Sequence, residues 1–160
     1  TILFFVDADA ELKAKTFLAD CLAEMDERHI DVATCALTPM SCRRLDRALH
    51  RAYNGFVIAT QHVRAHAAGA CILVRRSAHM CLGGFDERVR FAEDMEYSQR
   101  ATRMGFEFGV LRSHSIAVSV RRLDKDGRLA IACKFAFAEV RMIAKGPFTE
   151  LPFEYDMGGE

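Results

Sequence analysis

Thr1-Ile2-Leu3-Phe4-Phe5-Val6-Asp7-Ala8-Asp9 opens the chain with an unbroken apolar run that stops at two carboxylates. A short run of β-branched and aromatic residues without polar alternation predicts a strand covered on both faces, as in a parallel α/β sheet. In such sheets ligands bind beyond the carboxyl ends of the strands, where Asp7 and Asp9 would stand. Alternate residues of an extended chain point the same way, so both carboxylates can address one hard cation or polar ligand. The plainer alternative is that Asp7 or Asp9 caps the helix that follows.

Working outward, Ala14, Phe17, Leu18, Cys21, Leu22 and Met25 recur at three- and four-residue steps and predict an amphipathic helix over about 10–28. Ile30 to Leu37 reads as a strand closed by Thr38-Pro39. Residues 41–63 predict a long helix with a basic face and a break at Asn54-Gly55. Gly69 to Val74 reads as a strand and Arg75 to Leu82 as a helical turn ending on Gly83-Gly84. A helix over Glu93 to Met104 has acidic residues at its start and Gly105 at its end. Phe106 to Leu111 and Ile116 to Val120 read as strands, 128–144 as a final helix and 146–160 as an irregular tail. Alternating strands and helices predict an α/β domain.

The 160 residues suffice for one domain, with 51% apolar and 28% charged residues. With 22 basic and 22 acidic side chains, nothing in the balance points to nucleic acid, so any polyanion site must be local. Cys21, Cys35, Cys42, Cys71, Cys81 and Cys133 form no C-x-x-C pair and read as reduced core residues of a cytoplasmic protein. No apolar stretch reaches the roughly 18 residues a bilayer requires.

A second cluster follows Gly83-Gly84-Phe85-Asp86-Glu87. Two glycines permit a tight path beside a ligand, and Glu93-Asp94 stand at a helix start, where a rigidly held carboxylate can take a proton from a hydroxyl. The alternative is that they only complement the helix dipole. Glu96 and Arg100, four apart, read as a helix-surface pair.

Phe-Val-Asp-Ala-Asp-Ala, Gly69-Ala70 before Arg75-Arg76, Gly83-Gly84-Phe85-Asp86-Glu87, Glu93-Asp94 and Arg121-Arg122 together resemble the later part of a family-2 glycosyltransferase with the GT-A fold. The match in order and spacing runs from Ile2 to about Val140. The resemblance implies a GT-A (nucleotide-diphospho-sugar transferase, Rossmann-like) mixed sheet flanked by helices. It implies a divalent cation, manganese or magnesium, held by Asp9 with Asp7 nearby, on the diphosphate of a nucleotide-sugar donor. Asp94 would be the general base that deprotonates a sugar or lipid-linked acceptor, with inversion in one displacement, and Glu93 would orient it. Gly83, Gly84, Phe85 and Asp86 would border donor and acceptor. Arg121 and Arg122 would hold diphosphate or a phosphorylated acceptor, or alternatively form a solvated turn with Asp124 and Asp126. His114 lies where some GT-A enzymes place a metal-binding histidine, though a lone histidine is also a common structural residue.

Phe135, Phe137, Val140 and Met142 read as packing, while in enzymes with lipid-linked acceptors such a helix can make peripheral contact with the inner face of a membrane. The family's first strands, which hold the nucleotide base, do not precede Asp-x-Asp here. The expectation is therefore a partial catalytic domain over 1–145 that has lost upstream sequence. Two other readings compete with transfer: a truncated, non-catalytic nucleotide-sugar-binding module, and a haloacid-dehalogenase-like phosphatase with Asp7 as nucleophile. The phosphatase needs Thr or Val two residues after the second Asp, where this chain has Glu11, and a Gly-Asp-x-x-x-Asp box that it lacks.

Overall fold

The computed structural model describes residues 1–146 and Phe148. The expected tail, 146–160, lies outside the described residues except for Gly146 and Phe148.

Four strands form one mixed sheet in the order β1 (Ile2–Val6), β3 (Cys71–Arg75), β2 (Val32–Pro39), β4 (Phe108–Val118). β1 and β2 each run antiparallel to β3, whereas β2 and β4 are parallel. The sheet is thus mixed, as the resemblance implies, rather than parallel around β1 as the opening run by itself suggests, and β1 lies at one edge. Its apolar residues still serve both faces, since Leu3 and Phe5 pack into one core cluster and Ile2 and Phe4 into the other. That division explains why the run shows no polar alternation.

Helix α1 (Phe17–Glu27) buries Phe17, Cys21 and Met25 against one face of the sheet. It starts later than the expected position 10. The backbone of Glu11 instead exchanges two hydrogen bonds with Ala117 of β4, at 2.9 and 3.1 Å, so tertiary pairing overrides the local helical preference. On the other face lie α2 (Arg44–Thr60), α3 (Arg76–Leu82) and α4 (Glu93–Arg103). α2 runs unbroken through Asn54-Gly55. Asn54 does not end the helix but reaches across to β2, its side chain bonding the Leu37 N–H and C=O at 2.9 and 2.8 Å.

The two strands expected between 106 and 120 are one, interrupted where Cys35 pairs with Leu111 but Ala36 with Ser115. Residues 112–114 are the excess, and the Glu24 carboxylate accepts the orphaned N–H groups of Arg112 and Ser113 at 2.8–2.9 Å.

After β4 come a short helix, α5 (Arg121–Asp126), and α6 (Arg128–Lys145). α6 buries Ile131, Ala138 and Met142, the latter two with Phe91, Met95 and Phe148, so it covers the start of α4. Phe135, Phe137 and Val140, expected to pack, are instead exposed along with Ile143. Among the described residues no helix is long and apolar enough to cross a membrane. Of the six cysteines, all free thiols, Cys21, Cys35 and Cys71 are core residues as expected, while Cys42, Cys81 and Cys133 are exposed.

Candidate active site

Where β1 ends, the chain turns within the Asp-x-Asp segment, Ala10 N–H bonding the Asp7 carbonyl at 3.1 Å. It then crosses to Glu11, which pairs with Ala117 near the end of β4. This crossing brings the aspartates toward the β4–α5 junction, where Arg121 and Arg122 begin α5. The electrostatics record the proximity. Asp7's carboxyl is held above its ordinary range by burial and then by the charge of Asp9, with Arg122 opposing the rise and Glu93 adding to it. Asp9, Glu93 and Arg122 therefore all act on Asp7, although the four come from three distant stretches of sequence. Asp7 and Asp9 offer the kind of hard oxygen donors that a divalent cation takes.

Glu93 and Asp94 open α4 behind Ala92, which is held in the left-handed region at φ 57°. A non-glycine residue there is strained, as is common where a side chain is aimed for function. Asp94 Oδ1 accepts the Met95 N–H at 2.8 Å. The N–H of Gly69, at the mouth of β3, also favours the ionised carboxylate, and a Cβ on Gly69 would lie 3.0 Å from Asp94 Oδ2. Burial, and next the charge of Glu93, raise Asp94 to about 6, against the pull of the two N–H donors and of His66. A rigid carboxylate with that value is suited to accept a proton near neutral pH.

The Gly83-Gly84 loop leaves α3 with both glycines at positive φ, 74° and 80°. Its shape is fixed from α4: Arg100 donates to the carbonyl of Leu82 and, at 2.9 Å, to that of Gly84, and it grips Glu96 at 3.0–3.2 Å. Glu96 is only 5% exposed. The expectation of a helix-surface pair is corrected here, for the pair is a half-buried clamp on the glycine loop. Phe85 lies stacked on Tyr97 at 4.4 Å. Asp86 is engaged by Arg88 at 2.8–2.9 Å, which holds its carboxyl down to about 2.

His114 is placed elsewhere. It occupies the β4 excursion, stacks on Phe17 at 5.4 Å and meets Asp20 Oδ2 at 2.7 Å. Among the described residues no three His, Cys, Asp or Glu side chains gather to hold a metal ion. The expected Asp7–Asp9–His114 set is therefore not assembled, because the bulge of β4 turns the histidine to α1. Arg121 lies exposed at the start of α5, its N–H bonded to Ser119 Oγ at 3.2 Å. Sequence reading missed the contact of Gly69 with Asp94 and the reach of Arg100 to the glycine loop, since neither has a local spacing signal.

The four-stranded sheet and its flanking helices make a mixed α/β fold, consistent with a glycosyltransferase-like one. No family model matches the chain, and no curated protein sequence matches it. Among solved structures it is similar to the mannosyltransferase PcManGT from Pyrobaculum calidifontis, in complex with GDP-Man and Mn2+, at TM-score 0.63 and 22% sequence identity over 91% of this chain. The chain spans 41% of the length of that mannosyltransferase.

Proposed function

We propose that this chain carries the catalytic half of a family-2, GT-A glycosyltransferase, which moves a sugar from a nucleotide-sugar donor to an acceptor hydroxyl. The observation that carries the reading is Asp94: a carboxylate held by the Met95 N–H and close against Gly69, raised to about 6 by burial and then by the charge of Glu93, which also reaches Asp7. In this reading Glu93 links the base electrostatically to the leaving-group site. The likeness to a mannosyltransferase bound to GDP-Man and Mn2+ supports the same reaction class.

In this reading Asp9 and Asp7 would hold manganese or magnesium, which when bound neutralises charge on the nucleoside-diphosphate leaving group. His114 takes no part in holding it. Arg122, already acting on Asp7, gives the diphosphate a guanidinium partner, with Arg121 beside it. The loop of Gly83, Gly84, Phe85 and Asp86 borders the sugars, its glycine backbone pinned by Arg100. Asp94 removes the acceptor's hydroxyl proton as that oxygen attacks the anomeric carbon, giving inversion in a single displacement. Glu93 keeps the base's proton affinity high enough for the transfer. The phosphatase reading gains no support from the likeness to a mannosyltransferase.

The test is an assay of nucleotide-sugar turnover with GDP-mannose, UDP-glucose and UDP-N-acetylglucosamine, each with manganese, with magnesium and with chelator. Turnover of at least one donor that chelator abolishes supports the reading, whereas metal-independent turnover, or none, overturns it.

A further inference from the structure

A group of polar side chains outside the acid cluster is left incompletely satisfied beside Asp94. The segment between α2 and β3 runs from Gln61 to Ala70 and is mostly buried from Ala65 to Ala68. Ala67 N–H bonds Ser98 Oγ of α4 at 3.2 Å, and Gly69 touches Asp94, so the loop is tied to the helix that presents the base. It carries Arg64 and His66 toward Glu139 of α6. His66 Nε2 stands 2.6 Å from Glu139 Oε1, and Arg64 Nε 3.6 Å from Oε2.

These are ion-pair distances without hydrogen-bond alignment. Among the described residues Arg64 Nε and Nη2, His66 Nδ1 and Glu139 Oε1 are buried and have no hydrogen-bond partner. Buried donors and acceptors are almost always paired, so four orphaned atoms in one cluster call for a partner from outside the chain. Phe56 stands against His66 with ring centroids 5.7 Å apart and is 44% exposed, an apolar face next to the polar atoms. The side chains of Arg64 and Glu139 are 24% and 18% exposed, so the cluster reaches solvent.

The chemistry of the set restricts its ligand. A guanidinium and a carboxylate side by side offer donors and an acceptor with little net charge, and the carboxylate repels a phosphate. Hydroxyl groups both donate and accept, and the apolar face of a sugar ring can lie on an aromatic ring. The location selects the acceptor over the donor, because the loop that carries Arg64 and His66 continues to Gly69, which touches Asp94, and is bonded to α4 through Ala67 and Ser98.

We propose that Phe56, Arg64, His66 and Glu139 form a subsite for an uncharged sugar ring of the acceptor, which holds its hydroxyl toward Asp94. This rests on the transferase reading for its direction but not for the binding itself.

The experiment is saturation-transfer NMR on the full chain, with methyl α-mannopyranoside, methyl β-glucopyranoside and methyl β-N-acetylglucosaminide as probes and inorganic phosphate as competitor. At least one glycoside binds, its affinity falls about tenfold in Arg64→Gln and Glu139→Gln and about fivefold in Phe56→Ala, and phosphate does not displace it. Glu139→Gln is isosteric, Arg64→Gln keeps a polar side chain and Phe56→Ala falls on an exposed ring, and circular dichroism checks that each variant is folded. No glycoside bound, equal binding in the wild type and all three variants, or displacement by phosphate overturns the proposal. Metal-dependent binding of GDP-mannose, measured on the same samples, separates this outcome from failure of the transferase reading: glycoside binding without any nucleotide-sugar binding leaves the subsite standing and the reaction unsupported.

Discussion

Gly69 and Asp94 are in contact across the site: a methyl group on Gly69 would lie 3.0 Å from Asp94 Oδ2, so only hydrogen there leaves room for the carboxylate. Gly69→Ala is expected to push the carboxylate aside by a few tenths of an ångström. Misplacing a base costs rate far more than it costs folding, so turnover falls about tenfold or more. The melting temperature stays nearly unchanged, which thermal denaturation of the same sample checks.

The pH profile follows from Glu93 and Asp94. The base works ionised, so turnover rises with pH through the acidic limb near 6. Glu93 is the second cause that raises Asp94, after burial. Glu93→Gln removes that repulsion, and the limb of kcat/KM moves to lower pH. The same shift has a stability sign. A carboxyl raised in the fold from 3.8 to about 6 contributes fully below 3.8 and loses that contribution as pH rises through about 6. Denaturant titrations from pH 4 to 7.5 are expected to show a smaller decline for Glu93→Gln than for the wild type.

Asp7 and Asp9 are expected to act together on a cation. Asp9→Ala weakens manganese-dependent binding of GDP-mannose by about tenfold or more in calorimetry, a loss typical when a charged ligand to a metal is removed. His114→Ala leaves that binding unchanged, because His114 is engaged with Asp20 and Phe17.

Much of this architecture was legible in the chain. The opening apolar run, the helix stop at Gly105 and the acidic start of α4 were read at or within a residue or two of their observed places, because each rests on local chemistry. What was not legible depended on partners distant in sequence. The late start of α1 follows from the pairing of Glu11 with Ala117, and the antiparallel edge position of β1 from its register with β3. Four acidic and basic residues, Asp7, Asp9, Glu93 and Arg122, were named from sequence, and in the fold the last three act on the carboxyl of Asp7. The role of Arg100 was hidden, since i to i+4 spacing with Glu96 gives no sign of the carbonyls of Leu82 and Gly84.

Arg100 gives a stability prediction of its own. Its removal leaves Glu96, 5% exposed, with only the 3.7 Å contact to Arg103, and frees the glycine loop. Arg100→Ala is expected to cost about 3 kcal/mol in urea denaturation, the scale for stranding a buried charge. Arg88→Ala, which removes an exposed partner of Asp86, is expected to cost less than about 1 kcal/mol.

The central claim is that Asp94 is the base of a sugar-transfer reaction, and Asp94→Asn tests it most directly. The measurement pairs turnover of the best nucleotide-sugar donor with calorimetric binding of that donor in the presence of manganese. The expected result is turnover lower by about a hundredfold to ten-thousandfold, with donor affinity within about twofold of the wild type, a difference of less than half a kcal/mol. Turnover preserved in Asp94→Asn, or lost only in proportion to donor affinity, contradicts it.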